Sequence, residues 1–334
     1  MSEHQKDLHF GMRNPLNDII KRAAQAGFLS QTVHSLAEPD KGNGLGQNHL
    51  TNRDVMGTFQ KHVIPGRTVF EVGPGFGGLT EWLAEPAGKL IGIEADRRFN
   101  RVLSEIAANS QAANAGKGKI GFINANALEW QRFINLDDPA TIEKLGGKPQ
   151  IISNLPFGIA SQFMAGLVGT PIENAVLFLG EGLGKQLAAK KEDKDYWKNY
   201  GSMTPIAPFF KTENIGDVGW GSFYPKRDTT GKIVRMTPID VSEAVTDTET
   251  RIFAQIFRDT GRELEPPTVL TSMSQALGES TTDVVTRVQK VRKQPHSERP
   301  FWTETATWLQ QPYFGMNKAE VREFGRLVHL LNQS

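Results

Sequence analysis

Cysteine is absent from the 334-residue chain. That excludes disulfides and thiolate-held metals and fits a reducing compartment. No apolar run approaches the length of a membrane span. The opening residues, Met1-Ser2-Glu3-His4-Gln5-Lys6-Asp7, lack the apolar stretch of a signal peptide. Their acids argue against a transit peptide, so neither is expected. Charge of one sign is missing too: 38 Lys and Arg meet 37 Asp and Glu, a formal net charge of +1. A nucleic-acid partner is therefore not announced by bulk charge and requires a local basic face. Internal repeats and low-complexity tracts are also lacking. What remains is a chain with 38% hydrophobic and 22% charged residues, composition that supports a sizeable core and argues against global disorder. The length suits two domains, or one domain with additions.

The phrase that organises the rest is Gln150-Ile151-Ile152-Ser153-Asn154-Leu155-Pro156-Phe157. Two adjacent β-branched residues read as the end of a buried strand. Pro156 donates to no ladder and forces Leu155 into an extended shape, so the strand stops. An amide, two carbonyls and an aromatic ring are left at the carboxyl end of a strand, where open α/β sheets bind ligands. A planar ring stacks on a nucleobase, while an Asn oxygen and a carbonyl accept from an exocyclic amine. Taken alone, the same residues also suit a plain strand followed by a proline turn.

Upstream, residues 1–45 read as an extension, with Asn14-Pro15 opening a helix that carries Leu16, Ile19, Ile20, Ala23 and Ala24. Three glycines between Lys41 and Gly46 predict a loop. Asn52 is placed to cap a helix bearing Val55, Phe59 and Val63. Thr68–Val72 is a strand running directly into Gly73-Pro74-Gly75-Phe76-Gly77-Gly78, and Leu79, Trp82 and Leu83 begin the next helix. Glycines let a backbone pass close under a ligand. Glu94 closes a second strand, where a carboxylate can accept both hydroxyls of a ribose. This unit is a nucleoside-cofactor site, and its spacing fits a dinucleotide as well as S-adenosylmethionine. A helix over Arg97–Ala108, a strand over Lys119–Ile123, a helix over Gly158–Val168, a strand over Ala175–Leu179 and a helix over Gly182–Ala189 continue the alternation. The pattern predicts an α/β fold with a mostly parallel, doubly wound sheet. Phe209-Phe210 and Ile233-Val234 read as further strands. From about Val241 helical spacing takes over, with Ile252, Ile256 and Phe257 in one apolar set and Phe324, Leu327, Val328 and Leu331 in another. The expected division is an extension (1–45), a catalytic domain (46–240) and a small helical C-terminal domain (241–334).

With these segments placed, the chain resembles the ribosomal RNA adenine dimethyltransferases, which include bacterial small-subunit dimethylases, erythromycin-resistance methylases and mitochondrial relatives. The resemblance runs from about Gly46 to Pro238. Its motifs keep the family's order: Gly46-Gln47-Asn48-His49-Leu50, the stretch Phe70 to Thr80 around the glycine loop, Ile93-Glu94-Ala95-Asp96, Asn126-Ala127-Leu128, Asn154-Leu155-Pro156-Phe157, and Phe223-Tyr224-Pro225-Lys226. The resemblance implies a Rossmann-like methyltransferase domain using S-adenosyl-L-methionine. Asn48, Leu50, Gly73, Gly75, Glu94, Asn126, Ala127 and Asn154 would contact that cofactor. Asn154, Leu155, Pro156 and Phe157 would form the catalytic phrase and hold the target adenine, while Phe223, Tyr224, Lys226 and Arg227 would meet RNA. The implied reaction is transfer of methyl groups to adenine N6, with rRNA or a ribosomal subunit particle as partner, no metal, no membrane, and a monomer in the cytoplasm or mitochondrial matrix. Lys185, Lys190, Lys191, Lys194 and Lys198, interleaved with Tyr196, Trp197 and Tyr200, form a second basic and aromatic cluster that could grip phosphates, though Glu192, Asp193 and Asp195 dilute it and it suits a solvated helix end and loop as well. Three departures stand out. His49 replaces the family's usual Phe, Asn126 replaces Asp, and Phe257-Arg258-Asp259-Thr260-Gly261-Arg262-Glu263 is a diluted form of a strongly basic run. A family member working as an assembly or transcription factor, a large-subunit resistance methylase, and an NAD oxidoreductase remain as alternatives at this point. The last explains the glycine loop but not Asn154–Phe157.

Overall fold

The computed structural model describes residues 21–22, 48–113, 119–224, 230–262, 266–293 and 307–333. Most of the N-terminal extension, the loop over 41–46, and Lys226 and Arg227 lie outside the described residues. The chain divides into two compact units, the first comprising 1–160, 171–181 and 212–237 and the second 161–170, 182–211 and 238–334. A boundary drawn at 240 therefore leaves two inner stretches, 161–170 and 182–211, that cluster with the C-terminal helices.

The first unit is built on a sheet of seven strands in the order β4-β3-β2-β5-β6-β9-β7. These are β2 (Thr68–Val72), β3 (Lys89–Glu94), β4 (Ile120–Asn124), β5 (Gln150–Ser153), β6 (Asn174–Gly180), β7 (Phe210–Val218) and β9 (Gly231–Pro238). The five strands β4, β3, β2, β5 and β6 run parallel, and β9 joins β6 antiparallel. A separate two-stranded ribbon pairs β1 (His49–Leu50) with β8 (Phe223–Tyr224). Every residue of β2 and β5 is buried, as expected of strands covered on both faces. The polar member of β5, Gln150, is satisfied in place: its amide donates to the His62 carbonyl and to Asn174, and its oxygen accepts from the Ile64 N–H. Helices α1 (Arg53–Lys61), α2 (Gly78–Ala84) and α3 (Asn100–Ala113) contribute Val55, Phe59, Leu79, Leu83, Val102, Leu103 and Ile106 to the core. Asn52 caps α1 by accepting from the Asp54 and Val55 N–H groups, as its position predicts.

The strand order fixes where a ligand goes. From β2 the chain moves outward through β3 and β4, then returns to the other side of β2 for β5 and β6. The carboxyl ends of β2 and β5 thus flank the switch point of the sheet, where the loops diverge and leave a crevice. Ser153 Oγ donates to the Val72 carbonyl at 2.5 Å and ties these two ends together.

The second unit is helical. Its longer helices are α4 (Thr248–Arg262), α5 (Val269–Leu277), α6 (Thr281–Lys293) and α7 (Lys318–Gln333). Both apolar sets expected there are buried: Ile252, Ile256 and Phe257 on α4, and Phe324, Leu327, Val328 and Leu331 on α7. The rings of Phe253, Phe257, Tyr313 and Phe324 pack at centroid distances of 5.6–6.1 Å. Thr268 caps the start of α5, and Gly278 ends it in the left-handed region.

Candidate active site

One cavity of about 220 Å³ opens at the switch point. Asn48, Gly73, Gly75, Glu94, Asn126, Ala127, Asn154, Leu155, Pro156 and Phe157 all line it, together with His49, Ile93 and Phe99. Residues spread over more than a hundred positions of sequence therefore converge: Asn48 and His49 from the start of β1, most of the others from the carboxyl ends of parallel strands and the loops after them.

The glycine loop forms one wall. Gly73 and Gly75 hold φ of +68° and +56°, which side chains rarely adopt. A Cβ on Gly73 would also stand 3.2 Å from the Pro156 ring, and one on Gly75 3.3 Å from the His49 ring. These positions keep the loop flush with the catalytic phrase and with β1. Opposite, Glu94 is 6% exposed. Its two oxygens accept from the Gly75 N–H at 3.0 Å and the Asp96 N–H at 2.9 Å, and each keeps a lone pair for a further donor. Burial raises its pKa, and these N–H groups work against that rise by favouring the carboxylate. This pair of acceptors fits a ribose, whose adjacent hydroxyls need two acceptors side by side. Beneath the loop, Glu71 is fully enclosed and accepts from Thr80 Oγ1 at 2.6 Å. Burial pushes its pKa up to about 8, so it stays protonated at neutral pH.

The Asn154–Phe157 stretch forms the other wall. The Asn154 side-chain amide donates to the Asn48 carbonyl at 2.9 Å. That bond fixes the amide's orientation and leaves Oδ1 as an acceptor. Leu155 is 2% exposed and anchors the turn in the core, so its contribution to the cavity is chiefly backbone. Phe157 is different: 38% exposed, with its ring 5.8 Å from that of Phe178. A phenylalanine open to solvent beside a cavity is not core packing.

Asn126 is exposed, and its oxygen caps the short turn after β4 by accepting from the Leu128 N–H at 3.1 Å. Its amide donates to Glu129 at 3.3 Å, an arrangement an Asp could not reproduce. His49 is 9% exposed, its ring held by Phe76 at 4.7 Å and Phe99 at 6.0 Å. Burial lowers its pKa to about 4, and its Nε2 is enclosed with no hydrogen-bond partner among the described residues.

Two of the expected site residues stand away from the main cavity. Leu50 does not line the main cavity; it sits in the core and borders a small recess with Asn48, His49, Glu71 and Asn154. Phe223 is 3% exposed, its ring turned inward onto Phe178 at 5.1 Å. It supports the Phe178 ring that Phe157 leans on. Tyr224 beside it is half-buried. The open ring of this loop is Trp220, 60% exposed. Its short 3-10 turn is tethered to the cofactor phrase: the Thr51 N–H and hydroxyl both donate to the Ser222 carbonyl, and the Asn52 amide donates to the Ser222 hydroxyl. In the second unit, Tyr196 and Tyr200 are buried rather than available for stacking, and Lys191 pairs with Glu249 at 2.8 Å. The Trp197 ring carries the Arg326 guanidinium at 5.3 Å.

The sequence model of the family described as ribosomal RNA adenine dimethylase matches residues 40–298. The chain belongs to this family. Among curated relatives, it is 29% identical to ribosomal RNA small subunit methyltransferase A of Rhodopseudomonas palustris (strain BisB18), over 69% of this chain and 72% of that protein. It is 30% identical to the protein of the same name from Methylobacterium radiotolerans, over 67% of this chain and 69% of the other. Among solved structures, a dimethyladenosine transferase from Plasmodium falciparum aligns over 75% of this chain and 84% of its own, at 19% identity and a TM-score of 0.48. As a dimethylase-family member the protein is a methyltransferase, and the cavity at the switch point is where such chemistry has room. Among the described residues, no helix is long and apolar enough to cross a membrane, and no cluster of His, Asp and Glu could hold a metal ion.

Proposed function

We propose that the protein transfers methyl groups from S-adenosylmethionine to the N6 amine of adenine in small-subunit rRNA. The observation that carries this reading is Asn154. Its amide nitrogen is committed to the Asn48 carbonyl, so its oxygen is presented as an acceptor beside the exposed ring of Phe157. An acceptor and a ring face together suit an aminated nucleobase.

The residues present fit the cofactor. Gly73 and Gly75 give a wall without side chains, Glu94 accepts the ribose hydroxyls, and Asn126 and Ala127 border the adenine end. When bound, S-adenosylmethionine supplies an electrophilic sulfonium methyl. The chain's own residues do the positioning. Phe157 stacks on the target base, and Asn154 Oδ1 and the Leu155 carbonyl accept the two amine hydrogens. The amine lone pair is ordinarily delocalised into the ring, and these two acceptors favour a pyramidal nitrogen with its lone pair directed outward. Alignment of this kind supplies much of the rate when the reagent is already reactive. No strong base is required, because the proton leaves to solvent after transfer. That agrees with the absence of a His or carboxylate within the catalytic phrase itself. Outside the cavity, Trp220 offers a second ring for RNA, and Lys226 and Arg227 follow it in sequence.

The test is incubation with labelled S-adenosylmethionine and undermethylated small ribosomal subunits, followed by mapping of the labelled nucleoside. Label in N6-methylated or dimethylated adenosine supports the reading. Cofactor binding with no adenine modified in any ribosomal particle overturns it and favours a role in assembly.

A further inference from the structure

The family match begins at residue 40, yet the glycine loop is held by a residue well upstream of it. Lys21 and Arg22 are helical. Arg22 Nη1 donates to the Phe76 carbonyl at 2.8 Å, and Nη2 donates to Glu81 Oε1 at 2.6 Å. The pair is well shielded, with side chains 18% and 14% exposed. Phe76 belongs to the glycine loop and Glu81 to α2, the helix that follows it. One planar guanidinium thus spans the junction, a fork that a lysine ammonium cannot reproduce.

This junction needs a brace. Gly73, Gly75 and Gly77 all have positive φ, so the loop has much backbone freedom to lose. Gly77, at the N-cap of α2, offers no side chain to secure the helix start. The braced residue also reaches the cavity wall. The Phe76 ring packs on His49 at 4.7 Å and on Phe99 at 4.8 Å. The preceding N–H, on Gly75, is a donor to Glu94. A shift of the Phe76 carbonyl would therefore move a wall residue, a cofactor-phrase neighbour and a partner of the ribose-facing acid together.

We propose that Arg22 is a positioning residue for the cofactor site: from outside the family match, it holds the glycine loop in the shape that receives S-adenosylmethionine. The proposal rests on the reading of this cavity as the cofactor site.

The test compares the full-length wild type with Arg22→Ala and Arg22→Lys by calorimetry with S-adenosylmethionine, thermal melting, and amide hydrogen exchange over residues 73–81. For Arg22→Ala the expected results are affinity lower by about fivefold or more, in the range of ordinary coupling between neighbouring sites, and faster exchange confined to 73–81. Arg22→Lys keeps the charge opposite Glu81. It should restore the melting temperature while regaining part of the affinity, a split that general destabilisation would not give. Unchanged affinity in Arg22→Ala overturns the proposal. So does a lower melting temperature with exchange at 73–81 no faster than elsewhere. If the wild type itself does not bind S-adenosylmethionine, the cofactor reading fails, and the exchange over 73–81 still decides whether Arg22 braces the loop.

Discussion

Replacing Phe157 by alanine separates a substrate platform from a core residue. Truncating a fully buried phenylalanine costs about 3–5 kcal/mol through lost transfer energy and the cavity left behind. Phe157 is more than a third open, so no closed cavity results. What is lost is the burial of one side and a tilted contact with Phe178 at 5.8 Å, a pair worth about 0.5–1.5 kcal/mol. The expected stability loss is about 1–2 kcal/mol, a fall of a few degrees in Tm. The effect on catalysis should be larger. Stacking of a base on an aromatic ring contributes about 1–3 kcal/mol, and a misplacement of about 1 Å costs on the order of a hundredfold in rate. Phe157→Ala should therefore bind S-adenosylmethionine within about twofold of wild type, since Glu94 and the glycine loop are untouched, while single-turnover methyl transfer slows by about a hundredfold. Phe157→Tyr keeps the ring face and should keep most of the activity. Leu155→Ala is the control, because Leu155 is buried and its truncation should cost about 2–5 kcal/mol of stability. If Phe157→Ala instead melts like Leu155→Ala, with activity falling in proportion to the unfolded fraction, the platform argument is refuted. Unimpaired transfer by the alanine variant refutes it equally.

Substitutions at three further positions, one combined with Glu129→Gln, probe the rest of the site. Asn126→Asp alone should change cofactor affinity by less than about twofold, because the gain of a charged acceptor is offset by like charge against Glu129, now 3.3 Å from the Asn126 amide. Adding Glu129→Gln should reveal the gain as binding about fivefold tighter, and calorimetry finding no difference between single and double variants would refute this. Glu71 has its pKa raised by burial from 4.5 to about 8, so the folded state holds a proton that the unfolded chain releases. Its contribution is complete below about pH 4.5 and is lost as pH rises to about 8; Tm of wild type should fall relative to Glu71→Gln across that window, and parallel Tm curves would contradict the assignment. His49→Phe removes an enclosed, unpartnered Nε2 and should raise stability by about 1 kcal/mol with cofactor affinity kept, as thermal melts and calorimetry can check.

The parallel half of the fold was legible because its central strands, β2 and β5, are buried on both faces and read as apolar runs. Thr68–Val72 coincides with β2 to the residue, and the glycines, Glu94, Asn126 and Asn154 follow strand ends whose hydrophobic runs mark them. β7 was legible only at its start, Phe210, since the rest of Phe-Lys-Thr-Glu-Asn-Ile-Gly-Asp-Val lies at the edge of the sheet and carries mostly exposed polar residues, with no alternation to read. The helix expected over Gly158–Val168 is shorter, Ala160–Ala165. The roles of Phe223 and Trp220 were invisible for another reason. Two aromatic residues three positions apart look equivalent in sequence, and it is the pairing of Phe223 with Leu50 that turns one ring inward while the turn before it leaves the other open. Arg22 was unreadable because its partners, a backbone carbonyl and one glutamate among many, leave no spacing signal.

The ribbon of β1 and β8 has a consequence for how the protein is made. It joins Thr51 to Ser222 across 171 residues and closes the wall that bears Asn48 and His49. During synthesis the glycine loop, the acid and the catalytic phrase all emerge before the segment that staples the cofactor phrase in place. A nascent chain stopped after β6 would hold the parallel core with its binding site unlatched. If the cavity receives S-adenosylmethionine as proposed, competence to bind it would then arrive late and abruptly, once Phe223 and Tyr224 clear the exit tunnel, and not in step with growth of the sheet.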